Sequence, residues 1–310
     1  MILTVTTNPA VDQTLFVDTL QLGEVNRFGA SQLDPAGKGI NVSRMVHRLG
    51  WPTVAFGFLA GEIGRIAQKA LDAERVQHYF IQVPGQTRLN VTVVDAATDT
   101  ATSFYGPGPA VPAEYLDDLK SVLRFWMPST RVMVIAGSLP VGIPDETHAG
   151  FIHLARSFGV TTILDTDAEA LRQGVAAIPS LIKPNIEEAQ RLLGRPLPDT
   201  DAIIDGARAL LARGIGTVVI SMGARGLICA QGERVWHVRP PQIERQSTVG
   251  SGDSLVAGLA IALARGDDIA EGLRLGSAAG AATAMTIGTA LGTAADVQML
   301  LPKVSIEVVR

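Results

Sequence analysis

From Thr248 to Leu259 the chain reads Thr-Val-Gly-Ser-Gly-Asp-Ser-Leu-Val-Ala-Gly-Leu, with two glycines and a carboxylate where an extended segment gives way to an apolar helix. A helix N-terminus presents unpaired N–H groups and about half a positive charge. Gly250 and Gly252 have no Cβ to hold an anion away from those amides. The pattern predicts a phosphate site, with the small Ser251 between the two glycines. A carboxylate repels phosphate, so Asp253 needs another task. Taking the proton from a hydroxyl that attacks a phosphoryl group is such a task; plain N-capping of the Leu255-Val256-Ala257 helix is the alternative. Leu255 stands where a dinucleotide fingerprint needs glycine, and Gly37-Lys38 is followed by Gly39, not Ser or Thr, so neither that fingerprint nor a Walker A loop is present.

A second glycine-bearing loop, Gly37-Lys38-Gly39-Ile40-Asn41, feeds a helical face of Val42, Met45, Val46 and Leu49 that Gly50 ends. Lys38 adds a positive charge to an anion-friendly helix start. Two such starts suggest two phosphorylated ligands; a lysine on a solvated loop is the plainer reading. Asn185 and Glu188 open another helical pattern on one face. Their oxygens suit Mg²⁺, which keeps several waters and takes few protein ligands, and a capping box explains the same pair equally well. Taken singly, Asp12 and Ser138 read as turn residues and Arg88 as an exposed strand charge.

These groups need a frame. Val132–Ile135, Thr161–Leu164, Leu181–Ile182 and Thr217–Ile220 read as buried strands, alternating with helical segments that end at glycine. The alternation predicts an α/β fold with a mainly parallel sheet and helices on both faces, and chemistry beyond the carboxyl ends of the strands. Gly137-Ser138, Lys183-Pro184-Asn185 and Ser221-Met222-Gly223 each follow such a strand. Residues 14–34 and 87–105 alternate apolar and polar residues instead, with Leu89, Val91 and Val93 on one face and a turn at 95–99. They predict a small sheet projecting as a lid; a meander continuing the central sheet is the alternative.

At 310 residues with 47% hydrophobic content, the chain forms one large α/β domain or a domain with an appendage. A net charge of −4 and 5% aromatics exclude a broad nucleic-acid footprint. Cys229, the single cysteine, lies among Leu227, Ile228 and Ala230 and reads as a buried small hydrophobe. The five histidines show no metal-ligand spacing. Met1–Thr6 reads as a strand, not a targeting segment, and the apolar run from Ser254 to Ala264 is too short to span a bilayer. A cytoplasmic protein with no membrane partner is expected.

Taken together, Asn8-Pro9-Ala10-Val11-Asp12, Gly37–Val42, Gly137–Pro140, Lys183–Glu188 and Thr248–Ser254 occur in the order and spacing of a known family. The chain resembles the ribokinase-like phosphofructokinase B family of sugar kinases from its first strand nearly to its end. Within it the likeness is greatest to the branch of 1-phosphofructokinases and tagatose-6-phosphate kinases, and Gly85–Asn90 with Gly106–Pro109 favour the former. The resemblance implies a Rossmann-like kinase domain over residues 1–310 with a β lid at about 12–34 and 86–106. It implies transfer from ATP to fructose 1-phosphate, with tagatose 6-phosphate or fructose 6-phosphate as alternative acceptors.

For single residues, the resemblance implies Asp253 as general base and Gly250, Ser251 and Gly252 as the anion hole. Asp12, Gly39 and Asn41 would bind sugar hydroxyls, with Gly37 and Asn90 lining the same site. Lys38, Arg88 and Ser138 would hold the acceptor's phosphate. Lys183, Asn185, Ser221, Gly223 and Gly226 would contact ATP, and Asn185 with Glu188 would place Mg²⁺ through water. Ser251 stands where alanine is usual. Thr286 and Ala290 stand where relatives can carry Asn and Arg near a monovalent-cation site, so potassium use stays open. A lid-to-lid homodimer is also implied. Two other readings remain: a kinase of nucleosides or unphosphorylated sugars, against which Lys38 and Arg88 speak, and a non-catalytic sugar-phosphate sensor, against which Asp253 with its glycines speaks.

Overall fold

A computed structural model describes residues 1–309. The chain opens with β1 (Ile2–Thr6), β2 (Ala10–Val17) and β3 (Ala30–Ala36), then α1 (Lys38–Arg48), β4 (Thr53–Leu59) and α2 (Gly61–Ala73). Strands β5 (His78–Gln82), β6 (Arg88–Asp95) and β7 (Thr100–Phe104) follow. Strand–helix alternation then runs through α3 (Glu114–Trp126), β8 (Val132–Ala136), α4 (Thr147–Ser157), β9 (Thr161–Asp165), α5 (Ala168–Ala176), β10 (Leu181–Ile182) and α6 (Ile186–Leu193). After α7 (Thr200–Leu211) come β11 (Thr217–Ser221), β12 (Leu227–Gln231) and β13 (Arg234–Arg239). Helices α8 (Ser251–Arg265), α9 (Ile269–Ala284) and α10 (Ala294–Leu300) precede β14 (Ser305–Val308).

The main sheet has ten strands in the order β14-β13-β12-β11-β10-β9-β8-β1-β4-β5. From β11 to β5 every pair is parallel, and β12, β13 and β14 extend one edge antiparallel. The unbroken apolar runs arise because the strands are buried on both faces. In β8, Val132 and Val134 pack with α1 and α8, while Met133 and Ile135 pack on the opposite face with Leu119 and Phe151. Chain order reverses at β1, which lies between β4 and β8. The crevice beyond the carboxyl ends of these strands is where such a sheet binds ligands. Cys229 is buried in β12 and burial pushes its thiol up, out of the range of a nucleophile.

The two segments of alternating apolar and polar residues, 14–34 and 87–105, do not continue the central sheet. Strands β3-β2-β6-β7 form a sheet of their own, with β2 and β6 parallel and each carrying an antiparallel neighbour. Asp95 shapes the β6–β7 turn, its Oδ1 accepting from the amides of Ala97 and Thr98 at 2.9 and 3.2 Å. Strand alternation divides this sheet into two faces. Asp12, Thr14, Asn90 and Thr92 share a buried polar face, while Leu33, Leu89 and Phe104 are exposed on the other.

Candidate active site

Helix α8 begins at Gly250, whose φ of 76° is left-handed and favours glycine. No side chain caps this helix start. Asp253 is therefore not the N-cap: it is the third helical residue, three positions inside. Its Oδ2 accepts instead from Asn41 Nδ2 of α1 at 2.9 Å. This brings the two glycine-bearing helix starts together. Burial, and then the negative charge of Asp165, push the Asp253 carboxyl up to about 6, against the Asn41 hydrogen bond and the charges of Lys38 and Lys183. A Cβ on Gly252 would lie 3.5 Å from Lys183 Nζ, so the start of α8 faces that ammonium directly.

Asp165 ends β9 and joins both lysines. Its Oδ1 accepts from Lys38 Nζ at 3.0 Å, and its Oδ2 lies 3.4 Å from Lys183 Nζ. Burial opposes its ionisation, but the charges of Lys183 and Lys38 hold its carboxyl below the usual range. Burial would likewise lower the Lys38 ammonium, and Asp165, with Glu188 and Asp253 behind it, raises it instead. Asp165 was not among the residues singled out from the sequence. Its only signal is position: an acid at the carboxyl end of a parallel strand, in line with Ser138, Lys183 and Ser221.

On the other side of the crevice, Asp12 Oδ1 accepts from Asn90 Nδ2 at 2.7 Å across the β2–β6 pair. Burial raises the Asp12 carboxyl, against that hydrogen bond and the charge of Arg88. Asn90 Oδ1, Thr14 Oγ1 and Ser251 Oγ are buried without a protein hydrogen-bond partner. Arg88 donates to the carbonyls of Asn8, Pro9 and Gly106 at 3.0, 3.4 and 3.4 Å. Asn8 Nδ2 reaches Ser138 Oγ at 3.2 Å, so Arg88 and Ser138 meet through Asn8, whose part is not readable from its own motif. Several glycines have packing reasons. A Cβ on Gly39 would meet Thr6 Oγ1 at 2.4 Å, and one on Gly37, where φ is +121°, would meet Thr6 Cγ2 at 2.9 Å.

Beyond β10, Lys183 is 5% exposed, and Asn185 and Ser221 form a parallel bridge. Asn185 Oδ1 accepts from the Glu188 amide and Glu188 Oε2 from the Asn185 amide, both at 2.8 Å. The capping box is thus formed. Gly223 has open space around it, whereas a Cβ on Gly226 would come 1.9 Å from Val238 O, so the β11–β12 connection requires glycine there. Among the described residues no group of three or more His, Cys, Asp or Glu could hold a metal ion. Thr286 Oγ1 donates to the carbonyls of Thr283 and Ala290 at 2.7 and 2.6 Å, closing the loop after α9 on itself.

The pfkB family carbohydrate kinase model matches residues 5–295. A 1-phosphofructokinase of Rhodobacter capsulatus is 38% identical over 94% of this chain and 90% of its own length. A 1-phosphofructokinase of Bacillus subtilis is 32% identical over 99% of each chain. Among solved structures, phosphofructokinase-2 of Escherichia coli in complex with fructose-6-phosphate superposes with a TM-score of 0.88 at 29% identity, covering 97% of this chain and 98% of the other. The chain belongs to the pfkB family of carbohydrate kinases. It is an ATP-dependent sugar kinase with the ribokinase-like architecture of that family.

Proposed function

We propose that the protein transfers the γ-phosphoryl group of ATP to a ketohexose phosphate, fructose 1-phosphate above all, giving fructose 1,6-bisphosphate. The observation that carries this is the opposition of Asp253 and the uncapped α8 start to Lys183 on one side and Asn41 on the other. The acceptor's C6 hydroxyl oxygen attacks the γ-phosphorus, Asp253 takes the hydroxyl proton, and ADP leaves. Amides around Gly250, Ser251 and Gly252, with Lys183, stabilise the charge on the transferring group. Asp12, Gly37, Gly39, Asn41 and Asn90 hold the sugar, while Lys38, Arg88 and Ser138 hold its phosphate. Lys183, Asn185, Ser221, Gly223 and Gly226 line the nucleotide. Mg²⁺ neutralises charge on the phosphates when bound; Glu188 suits it, because only Oε2 of its carboxylate is committed to the capping box.

The four-stranded sheet acts as the lid, and its apolar face pairs with that of a second copy. Leu33, Leu89 and Phe104 are 50, 36 and 62% exposed there, beside Leu15, Val91 and Val93. A four-stranded sheet does not bury such a face alone. Sedimentation at micromolar concentration reports the dimer, and a charge at Val91 or Val93 dissociates it; a monomeric wild type rejects it. Potassium activation is tested directly by salt exchange. No helix among the described residues is long and apolar enough to cross a membrane, and the cytoplasm, where ATP is held, is the proposed location.

Coupled ADP release with fructose 1-phosphate, fructose 6-phosphate, tagatose 6-phosphate and ribose tests the reading. Fructose 1-phosphate is expected to give the highest kcat/KM. The second reading is a 6-phosphofructokinase, favoured by the likeness to the phosphofructokinase-2 solved with fructose-6-phosphate; preference for that sugar would select it. Best turnover of ribose would reject a sugar-phosphate acceptor altogether.

A further inference from the structure

The small sheet is joined to the main body by an ion cluster around a buried arginine that the transfer step does not use. Arg44 of α1 is 2% exposed. Its Nε donates to both carboxylate oxygens of Glu74 at 3.0 Å, its Nη1 to Pro35 O at 3.1 Å and its Nη2 to Asp34 Oδ1 at 3.4 Å. Asp34 lies in β3 opposite Asp12. Its Oδ2 accepts from Gln32 Nε2 and from Thr289 Oγ1, both at 2.8 Å.

Thr289 belongs to the loop between α9 and α10. One turn beyond Arg44, Arg48 Nη1 holds the same loop at Leu291 O and Gly292 O, at 2.6 and 3.3 Å. The Leu291 side chain in turn packs on the start of α8, within 2.8 Å of where a Cβ on Gly250 would stand. Thr14, on the polar face of the sheet, meets the loop at Gly288, where an added Cβ would come 2.9 Å from its Oγ1. The Asp34–Thr289 hydrogen bond is thus a joint between the sheet bearing Asp12 and Asn90 and the loop packed against the Asp253 helix.

We propose that Asp34 and Thr289 are positioning residues for the phosphoryl acceptor. Their bond registers the polar face of the sheet against the start of α8, so that a sugar held at Asp12 and Asn90 presents its hydroxyl to Asp253. The inference rests on reading that face as the sugar site. Arg44 keeps Asp34 paired even when the Thr289 bond opens, so the joint can part without stranding a buried charge. One hydrogen bond to a carboxylate then biases the sheet's position, and its loss lowers the fraction of molecules ready for the acceptor.

Thr289→Val and Thr289→Ser separate the hydroxyl from the shape of the side chain. In the valine variant KM for fructose 1-phosphate rises about five- to tenfold while KM for ATP stays near wild type, and serine restores the acceptor KM. Hydrogen exchange of the ligand-free proteins gives faster exchange of the β3 amides in the valine variant and wild-type exchange in the serine variant. An unchanged acceptor KM, an equal rise for ATP, failure of serine to rescue, or unchanged β3 exchange would each overturn the proposal. If the wild type turns over no ketohexose phosphate, the proposed function falls by itself, and the exchange comparison still decides the joint. Should Thr289→Val not fold, Thr289→Ala carries the same measurements.

Discussion

Glu188 is the third residue of α6 and Asp253 the third residue of α8, and both side chains belong to residues only 8% exposed. Both are acids in the first turn, where the helix dipole favours them. Glu188 folds back onto the amide of Asn185 and completes a reciprocal cap. Asp253 makes no such bond; its carboxylate is held by Asn41 from another helix. Burial is equal, so it does not distinguish them. The residue at the N-cap does: Asn185 offers a side chain that organises the turn, whereas Gly250 offers none. A carboxylate left out of the cap, with the negative charge of Asp165 near it, is free for the proton transfer proposed for it; one inside the cap holds a helix start.

Asp253→Asn is the hardest test of that contrast. Loss of the general base lowers kcat by ~10²–10⁴, while ATP binding and melting temperature stay near wild type, since α8 loses no cap. Near-normal kcat with a lowered melting temperature would return Asp253 to a structural role. The pH profile adds a second reading. Asp253 must be ionised to act, and its carboxyl sits at about 6. In the free enzyme kcat/KM therefore falls about tenfold per pH unit below that point, and the residual activity of Asp253→Asn lacks this limb.

Gly252→Val follows in size. The space beside Gly252 is bounded by Lys183 Nζ at 3.5 Å, an ordinary contact that a flexible side chain relieves, so the variant folds. A branched side chain would nonetheless stand between the α8 amides and the transferring group, where losing one donor costs ~10²–10³ in rate. Wild-type rates in a well-folded Gly252→Val protein would show that these amides do not face the phosphoryl group.

Arg88→Ala and Lys38→Ala raise KM for the sugar phosphate by about tenfold, the size of one hydrogen bond to a charged group, with little change in KM for ATP. Arg88 is the cleaner case, because its neighbours are the carbonyls of Asn8, Pro9 and Gly106. Lys38 shares Asp165 with Lys183. An equal loss of ATP affinity would move the residue concerned to the nucleotide.

The strands of the central sheet were legible because residues buried on both faces leave continuous apolar runs, as in Val132–Ile135, and even the short β10 stood out ahead of Lys183. The small sheet was legible from its alternation, one face polar and one apolar. Asp165 was not, since a single acid at a strand end belongs to no local motif and its partners are 127 residues before it and 18 after. Arg44 escaped for the same reason: it lies on the side of α1 opposite Val42, Met45 and Val46, where a charge reads as solvated, and Glu74 and Asp34, which neutralise it, come from other elements. The start of α8 was legible as a motif but not as a role. Whether Asp253 caps or acts depends on where the helix begins, and the left-handed Gly250 begins it three residues early.

The smallest effect expected is at the other acid-bearing helix. Asn185→Ala removes the side chain that accepts from the Glu188 amide, and caps of this kind contribute ~1 kcal/mol. Urea unfolding of Asn185→Ala is expected to show that loss, and Asn185→Ser, which can still accept from the same amide, to recover most of it. Asp253→Asn, by contrast, removes a charge that lies near the like charge of Asp165 and caps nothing, and its amide oxygen can still accept from Asn41, so it costs stability little while abolishing most turnover. Unfolding and kcat measured on the same variants therefore place the two helix starts at opposite corners: stability falls with rate partly kept at Asn185, and rate falls with stability kept at Asp253. If Asp253→Asn destabilises the protein as much as Asn185→Ala does and keeps its turnover, the two helix starts are built alike, and the base must be sought elsewhere in the crevice.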